Sequence, residues 1–207
     1  MKSLLIAIKP KWCAKIMNGE KTFEVRKNKA LATAIQKLID ENGYAEFYVY
    51  CTKNKSGDND GNVIGRCYPP QISLKVIGGR GKVIFKFRCY KMNKIELKRV
   101  NDYSNDTYEY MTDSLSEEEL LEKSCIHTLQ LSEYLGDDTG YAIHISELEI
   151  FDRPKELSEF YALKCSPKEE LPCNIKDVYG VEECFRLCKM CKPLTKAPQN
   201  YCYVEVE

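Results

Sequence analysis

Cations, carboxylates and one aromatic ring crowd together near the start of the chain: Lys9-Pro10-Lys11-Trp12, then Gly19-Glu20-Lys21-Thr22-Phe23-Glu24-Val25-Arg26. These residue types suit recognition of a nucleobase or a backbone phosphate. A guanidinium such as that of Arg26 grips phosphate through two parallel hydrogen bonds. A carboxylate such as that of Glu24 accepts from a base amino group, as acidic side chains do with cytosine. Lys9 adds a phosphate contact and Trp12 a stacking surface, and stacking contributes about 1–3 kcal/mol per base in single-strand binders. Lys21 beside Glu24 could also bind a developing oxyanion while the carboxylate acts as a base towards water. The plainer alternative is a surface salt bridge between Glu24 and Arg26, worth about 0–1 kcal/mol, with Trp12 simply packed in the core.

For these groups to meet, three short elements must follow one another. Residues 3–8 are apolar and read as a strand. Pro10 fits the first turn of a helix, where its missing N–H is harmless. Trp12, Cys13 and Ile16 then share a helical face. Asn18-Gly19 stops that helix, because both residues tolerate a left-handed backbone. Residues 21–27 alternate, so Phe23 and Val25 point one way while Thr22, Glu24 and Arg26 point the other. Gly19 supplies the sharp turn that leaves Lys21 at the mouth of this strand. Further along, 30–39 reads as a helix and 45–51 as a strand. In the strand at 82–90, Val83, Phe85 and Phe87 face inward and Lys82, Lys86 and Arg88 outward. The stretch 53–62 is polar and Gly-rich, a mobile loop by composition. Residues 101–118 are acidic, polar and rich in Tyr (Tyr103, Tyr108 and Tyr110). Two helices follow, the first capped by Ser114 or Ser116, then strands at 141–145, 148–151 and 201–206.

Of the 207 residues, 43% are hydrophobic and 30% charged, which suits a globular protein. Net charge is zero, with 31 basic and 31 acidic residues. The first hundred residues are strongly basic and the remainder equally acidic, and a basic half can concentrate a polyanion. If the halves fold against each other, they neutralise instead. No stretch approaches the roughly 20 apolar residues of a membrane span. The opening run is broken by Lys9-Pro10 and lacks a small-residue cleavage site. The expected location is therefore the cytoplasm, with no membrane partner. The chain carries eleven cysteines. An odd count without a secretory segment argues against a disulfide framework.

The N-terminal residues Ile8-Lys9-Pro10, Trp12, Ile16, Asn18-Gly19, Lys21-Thr22, Glu24 and Arg26 resemble the signature of the ASCH family, in the PUA-like fold group. The run from Thr139 to Ser146 with Pro154-Lys155-Glu156-Leu157, and the ending from Ala197 to Val204, are similar to the later parts of longer bacterial and phage members. The resemblance implies an α+β fold: a small mixed β-barrel with flanking helices, a single domain over 1–207, and a helical insertion at 100–135. It also implies a cleft between the first helix and the strands that binds RNA. Some members are enzymes. One branch resembles an amidohydrolase that removes acetyl groups from N4-acetylcytidine with a Lys, a Thr and a Glu. Lys21 matches that Lys, but Glu24 stands at the Thr position and the third residue has no clear match. Other relatives are described as ribonucleases, for which His144 is an acid–base candidate. Tyr141 would then stack or hydrogen-bond in the cleft. The competing view of His144 is a structural residue on its strand.

A Cys-rich extension spans 165–200. Cys188 and Cys191 form one CxxC pair, which Cys173 and Cys184 could complete as a structural zinc site. On a helix, however, 184, 188 and 191 share one face, as core cysteines would; reactive thiols are a third reading. No other cofactor is implied. Three functions compete. The first is binding of RNA or a modified nucleoside through the Lys/Glu/Arg cleft. The second is hydrolysis of an acylated nucleoside or an RNA phosphodiester by Lys21 and Glu24. The third is capture of a protein partner by the acidic Tyr-rich stretch.

Overall fold

The computed structural model describes residues 2–53, 79–102, 105–162 and 192–206. Strand β1 (Ser3–Ile8) leads into helix α1 (Pro10–Met17), with Pro10 in its first turn. Gly19, at φ +75, turns the chain into β2 (Phe23–Arg26). Helix α2 (Lys29–Asn42) is capped by the Asn28 side chain, which accepts from the Leu31 N–H, and it ends on Gly43 at φ +82. Strands β3 (Ala45–Cys51), β4 (Val83–Cys89), β5 (Met92–Asp102) and β6 (Asn105–Thr112) follow. Next come α3 (Glu117–Ser124), α4 (Thr128–Leu135), β7 (Gly140–His144) and β8 (Ser146–Lys155). A 3-10 turn at Leu157–Glu159 precedes β9 (Phe160–Ala162), β10 (Lys192–Pro193) and β11 (Tyr201–Val206).

The strands form two sheets, ordered β10-β9-β11-β1-β3-β4-β8 and β2-β7-β5-β6. β1 and β3 are parallel, so the chain between them must cross over. That crossover contains α1, β2 and α2, and it sends β2 out to pair with β7 in the second sheet. Among the described residues neither sheet closes on itself, which corrects the expected β-barrel: the fold is α+β with two open sheets. The outer strands of the larger sheet show why. β8 carries Pro154 and β10 carries Pro193, and a proline offers no N–H to a further neighbour. β10 is also only two residues long. The segment 100–135 holds the end of β5, then β6, which pairs with β5 along its length, and then α3 and α4.

Two cores flank the helices, the first mainly from the larger sheet with Ile143 of β7, the second from the smaller sheet, and Leu5, Tyr48 and Phe160 form a further cluster on the larger sheet. Ile6, Phe47, Phe85 and Phe87 of the larger sheet pack on Ile16 of α1 and on Leu31 and Ile35 of α2. Phe23, Val25, Ile95 and Ala142 of the smaller sheet pack on Leu120, Leu131 and Leu135 of α3 and α4. Tyr110 belongs to this second core, and its hydroxyl donates to the Gly136 carbonyl at 3.0 Å. It is therefore not part of a tyrosine surface for a partner, and Tyr103 lies outside the described residues. Gly140 lets α4 press against β7, since a Cβ there would meet Leu135 Cδ1 at 2.8 Å. Among the described residues no helix is long and apolar enough to cross a membrane.

The outward cations of β4 do not form a free basic face. Antiparallel pairing sets Lys86 opposite Glu149 of β8. Lys86 approaches Glu149 at 3.2 Å and Glu46 at 3.8 Å, Arg88 meets Glu147 at 2.7 Å, and Lys82, just before the strand, meets Glu156 at 2.8 Å. The basic first half of the chain is neutralised here by the acidic second half.

Candidate functional site

Strand β2 divides its side chains as a period of two requires. Phe23 and Val25 enter the smaller sheet's core, while Glu24 and Arg26 face the end of β1 and helix α1. There they border an open cavity of about 560 Å³. Ala7, Ile8, Lys9, Lys11, Trp12 and Lys21 form the wall built by β1, α1 and the Gly19 turn; Ile126, Gln130, Glu133 and Tyr134 come from α4 and the turn before it. Four basic side chains (Lys9, Lys11, Lys21 and Arg26) face two acidic ones (Glu24 and Glu133).

Lys21 is the most enclosed of these groups, at 2% exposure. Its Nζ donates to the Ser124 carbonyl at 2.7 Å and pairs with Glu24 Oε2 at 3.5 Å. The carbonyl is the last of α3, whose helix ends on Cys125 in the left-handed conformation. A cation there satisfies an orphan acceptor and meets the negative end of the helix dipole. The Thr22 N–H, donating to the Lys123 carbonyl at 2.9 Å, reinforces the same junction. Burial lowers the Lys21 pKa from the ordinary lysine value, and the Glu24 carboxylate partly opposes that shift. The other oxygen of Glu24, Oε1, accepts from Arg26 Nε at 2.9 Å, and Arg26 Nη2 donates to the Ala7 carbonyl at 2.8 Å. Lys21, Glu24 and Arg26 thus form one chain of charge-assisted bonds from α3 through β2 to β1. Trp12 sits over this chain, with Lys21 Nζ 5.0 Å and Lys11 Nζ 4.6 Å from its ring centroid, within cation–π range.

Five residues singled out in the sequence therefore converge on one cavity: Lys9, Trp12, Lys21, Glu24 and Arg26. Tyr141 stands directly across the strand pair from Arg26 but does not line the cavity. His144 pairs with Phe23, so it lies on the opposite face of the β2–β7 pair. Its ring packs on that of Phe23, tilted by 30° at 4.3 Å between centroids, and its Nε2 lies 2.6 Å from Asn93 Oδ1. The Asn93 amide nitrogen donates to Ser114 and Asp113, which leaves Oδ1 to accept, so Nε2 carries the proton. Burial, then Lys91 and Lys123, lower the His144 pKa below its usual value. These contacts make His144 a packing residue of the smaller sheet.

The wall from α4 has no counterpart in the sequence reading. Residues 126, 130, 133 and 134 recur at helical spacing, but nothing in that period tells which part of the fold the face will meet. Cys173, Cys184, Cys188 and Cys191, the zinc candidates, lie outside the described residues. Among the described residues no group of three or more His, Cys, Asp or Glu side chains could hold a metal ion. Cys13, Cys51, Cys89, Cys125 and Cys202 are free thiols, the first three buried.

Fold and cleft together define an α+β protein with a basic, aromatic-lined cleft between its two sheets. No family model and no curated protein matches the chain. Similar solved structures include the ASCH protein of Zymomonas mobilis, with a TM-score of 0.45 and 12% identity over 98% of this chain and 87% of that one. A mutant of the same protein gives 0.46 and 12% over 99% and 91%. The N-terminal domain of McrB from Staphylothermus marinus gives 0.39 and 8% over 93% and 87%. The first two carry the family name that the N-terminal residues resemble.

Proposed function

We propose that the chain binds single-stranded RNA or a modified nucleoside in the cleft between α1, β2 and α4. The observation that carries this reading is the joining of Trp12 to a cationic wall around one open volume of about 560 Å³. That size falls within the range of ordinary small-ligand sites. Tyr134 of α4 adds a second aromatic ring. A base stacking on Trp12 takes the place of Lys11, whose ammonium is then released towards phosphate. Arg26 is held in place by the Ala7 carbonyl and Glu24, so its orientation is set before any ligand arrives. Lys9 is exposed at the rim, where it serves the backbone of a longer strand. The resemblance of the N-terminal residues to a family expected to bind RNA supports the same reading.

Hydrolysis by Lys21 and Glu24 finds less support in this geometry. Lys21 is committed to a backbone carbonyl, and each oxygen of Glu24 already meets a cation.

The test is fluorescence anisotropy of a labelled single-stranded RNA of about ten nucleotides at several salt concentrations. With Lys9, Lys11 and Arg26 as phosphate contacts, log affinity should fall with log salt at a slope of roughly −2. Arg26→Ala should weaken binding at least about tenfold. Absent binding, or binding indifferent to salt and to Arg26, would sink the proposal.

A further inference from the structure

Glu24 is the residue that sequence alone offers as the acceptor for a base amino group, but its carboxylate is spent on Arg26 and Lys21. One other carboxylate borders the cleft: Glu133 of α4. It has no ion-pair partner among the described residues. Gln130, one helical turn earlier, lines the same wall. The cleft is therefore polarised. Cations fill the wall of β1, α1 and β2, and an amide and a carboxylate stand on the wall of α4.

We infer that the cleft selects a nucleotide whose base carries an exocyclic amino group, cytosine being the simplest case, with Glu133 as the selecting residue. This inference rests on the nucleotide-binding reading above. The phosphate belongs on the basic wall, and the base edge then faces α4. There the carboxylate of Glu133 accepts from the amino group. Uracil presents a single N3–H flanked by two carbonyl oxygens. Set against a carboxylate, those oxygens oppose acceptor to acceptor and lose their water without gaining a donor. Glu133 stands at the exposed rim, so the lower end of the usual discrimination applies, about fivefold.

Cytidine and uridine 5′-monophosphate, nearly equal in shape, are the probes. Calorimetric titration of the intact chain should show the cytidine nucleotide binding about fivefold tighter. In Glu133→Gln the amide donates as well as accepts, so the ratio should fall to about one through a gain for uridine. The substitution lies on an exposed helical position, and circular dichroism checks that the fold persists. Equal affinities in the unaltered chain, or a preference untouched by Glu133→Gln, would overturn the role of Glu133 and leave the nucleotide reading standing. Failure of both nucleotides to bind would overturn the two together.

Discussion

The basic residues of the first half of the chain meet opposite fates in two places. Along β4, Lys82, Lys86 and Arg88 each meet a carboxylate from the stretch 147–156. In the cleft, Lys9, Lys11, Lys21 and Arg26 outnumber Glu24 and Glu133. Both groups alternate or cluster with apolar residues in the same way along the sequence. What separates them is the neighbour that the fold supplies. β4 receives β8, an acidic strand in antiparallel register, whereas the edge of β2 that faces α1 receives an open volume. A surplus of charge in the sequence becomes a binding surface only where no later strand arrives to cancel it.

The largest effect that would break this comparison lies at Lys21. Its partner Glu24 is buried, so Lys21→Met should cost about 3 kcal/mol, towards the low end for a broken buried pair because Arg26 remains. Thermal unfolding should then move down by roughly 6–12 °C for a domain of this size. A change of under a degree would mean that the Lys21–Glu24–Arg26 chain does not hold the cleft together. Next comes Trp12→Ala, which should weaken RNA binding by about 5- to 150-fold, the range expected when one stacking platform is lost. Anisotropy of labelled RNA measures it, and unaltered affinity would place the ligand elsewhere.

A smaller effect separates the two faces of the β2–β7 pair. The His144 pKa is depressed in the fold, so as pH falls below about 6.5 the unfolded chain takes up the proton first. Stability carried by neutral His144 is complete above that pH and is lost as pH drops through the folded-state value. Melting curves between pH 7.5 and 5 should show this decline, and His144→Gln should flatten it. RNA affinity at pH 7.5 should be unmoved by the same substitution, because His144 faces away from the cleft. The smallest expected effect is on β4: Lys86→Ala should change RNA affinity less than about twofold and stability by about 0–1 kcal/mol, as for other ion pairs at a protein surface. A clear loss of RNA binding there would show that β4, not the cleft, carries the nucleic acid.

Local pattern made the near half of the site readable. Pro10, the Asn18-Gly19 stop and the alternation from Phe23 to Arg26 each report on a few consecutive residues, and the chain obeys them. The far half depends on long-range pairing. Nothing local says that α4 will set Gln130, Glu133 and Tyr134 against Trp12, or that Glu149 will lie opposite Lys86. Closure into a barrel is likewise a property of strand pairing at a distance. Pro154 and Pro193 mark the edges that stay open, a signal visible only once their strands are known to be outermost. The hairpin partner β6 was legible in principle. Thr107 to Thr112 are mostly β-favouring residues, but they sit in an acidic, polar stretch that hides the strand pattern.

The most direct measurement uses the fact that Trp12 is the sole tryptophan in the chain. Its fluorescence is titrated with cytidine 5′-monophosphate, in the unaltered protein and in Arg26→Ala. Saturable quenching that weakens with salt, and weakens at least about tenfold on loss of the guanidinium, is the expected result. A tryptophan signal indifferent to the nucleotide, or quenched equally without Arg26, would contradict the idea that ring and cation grip one ligand.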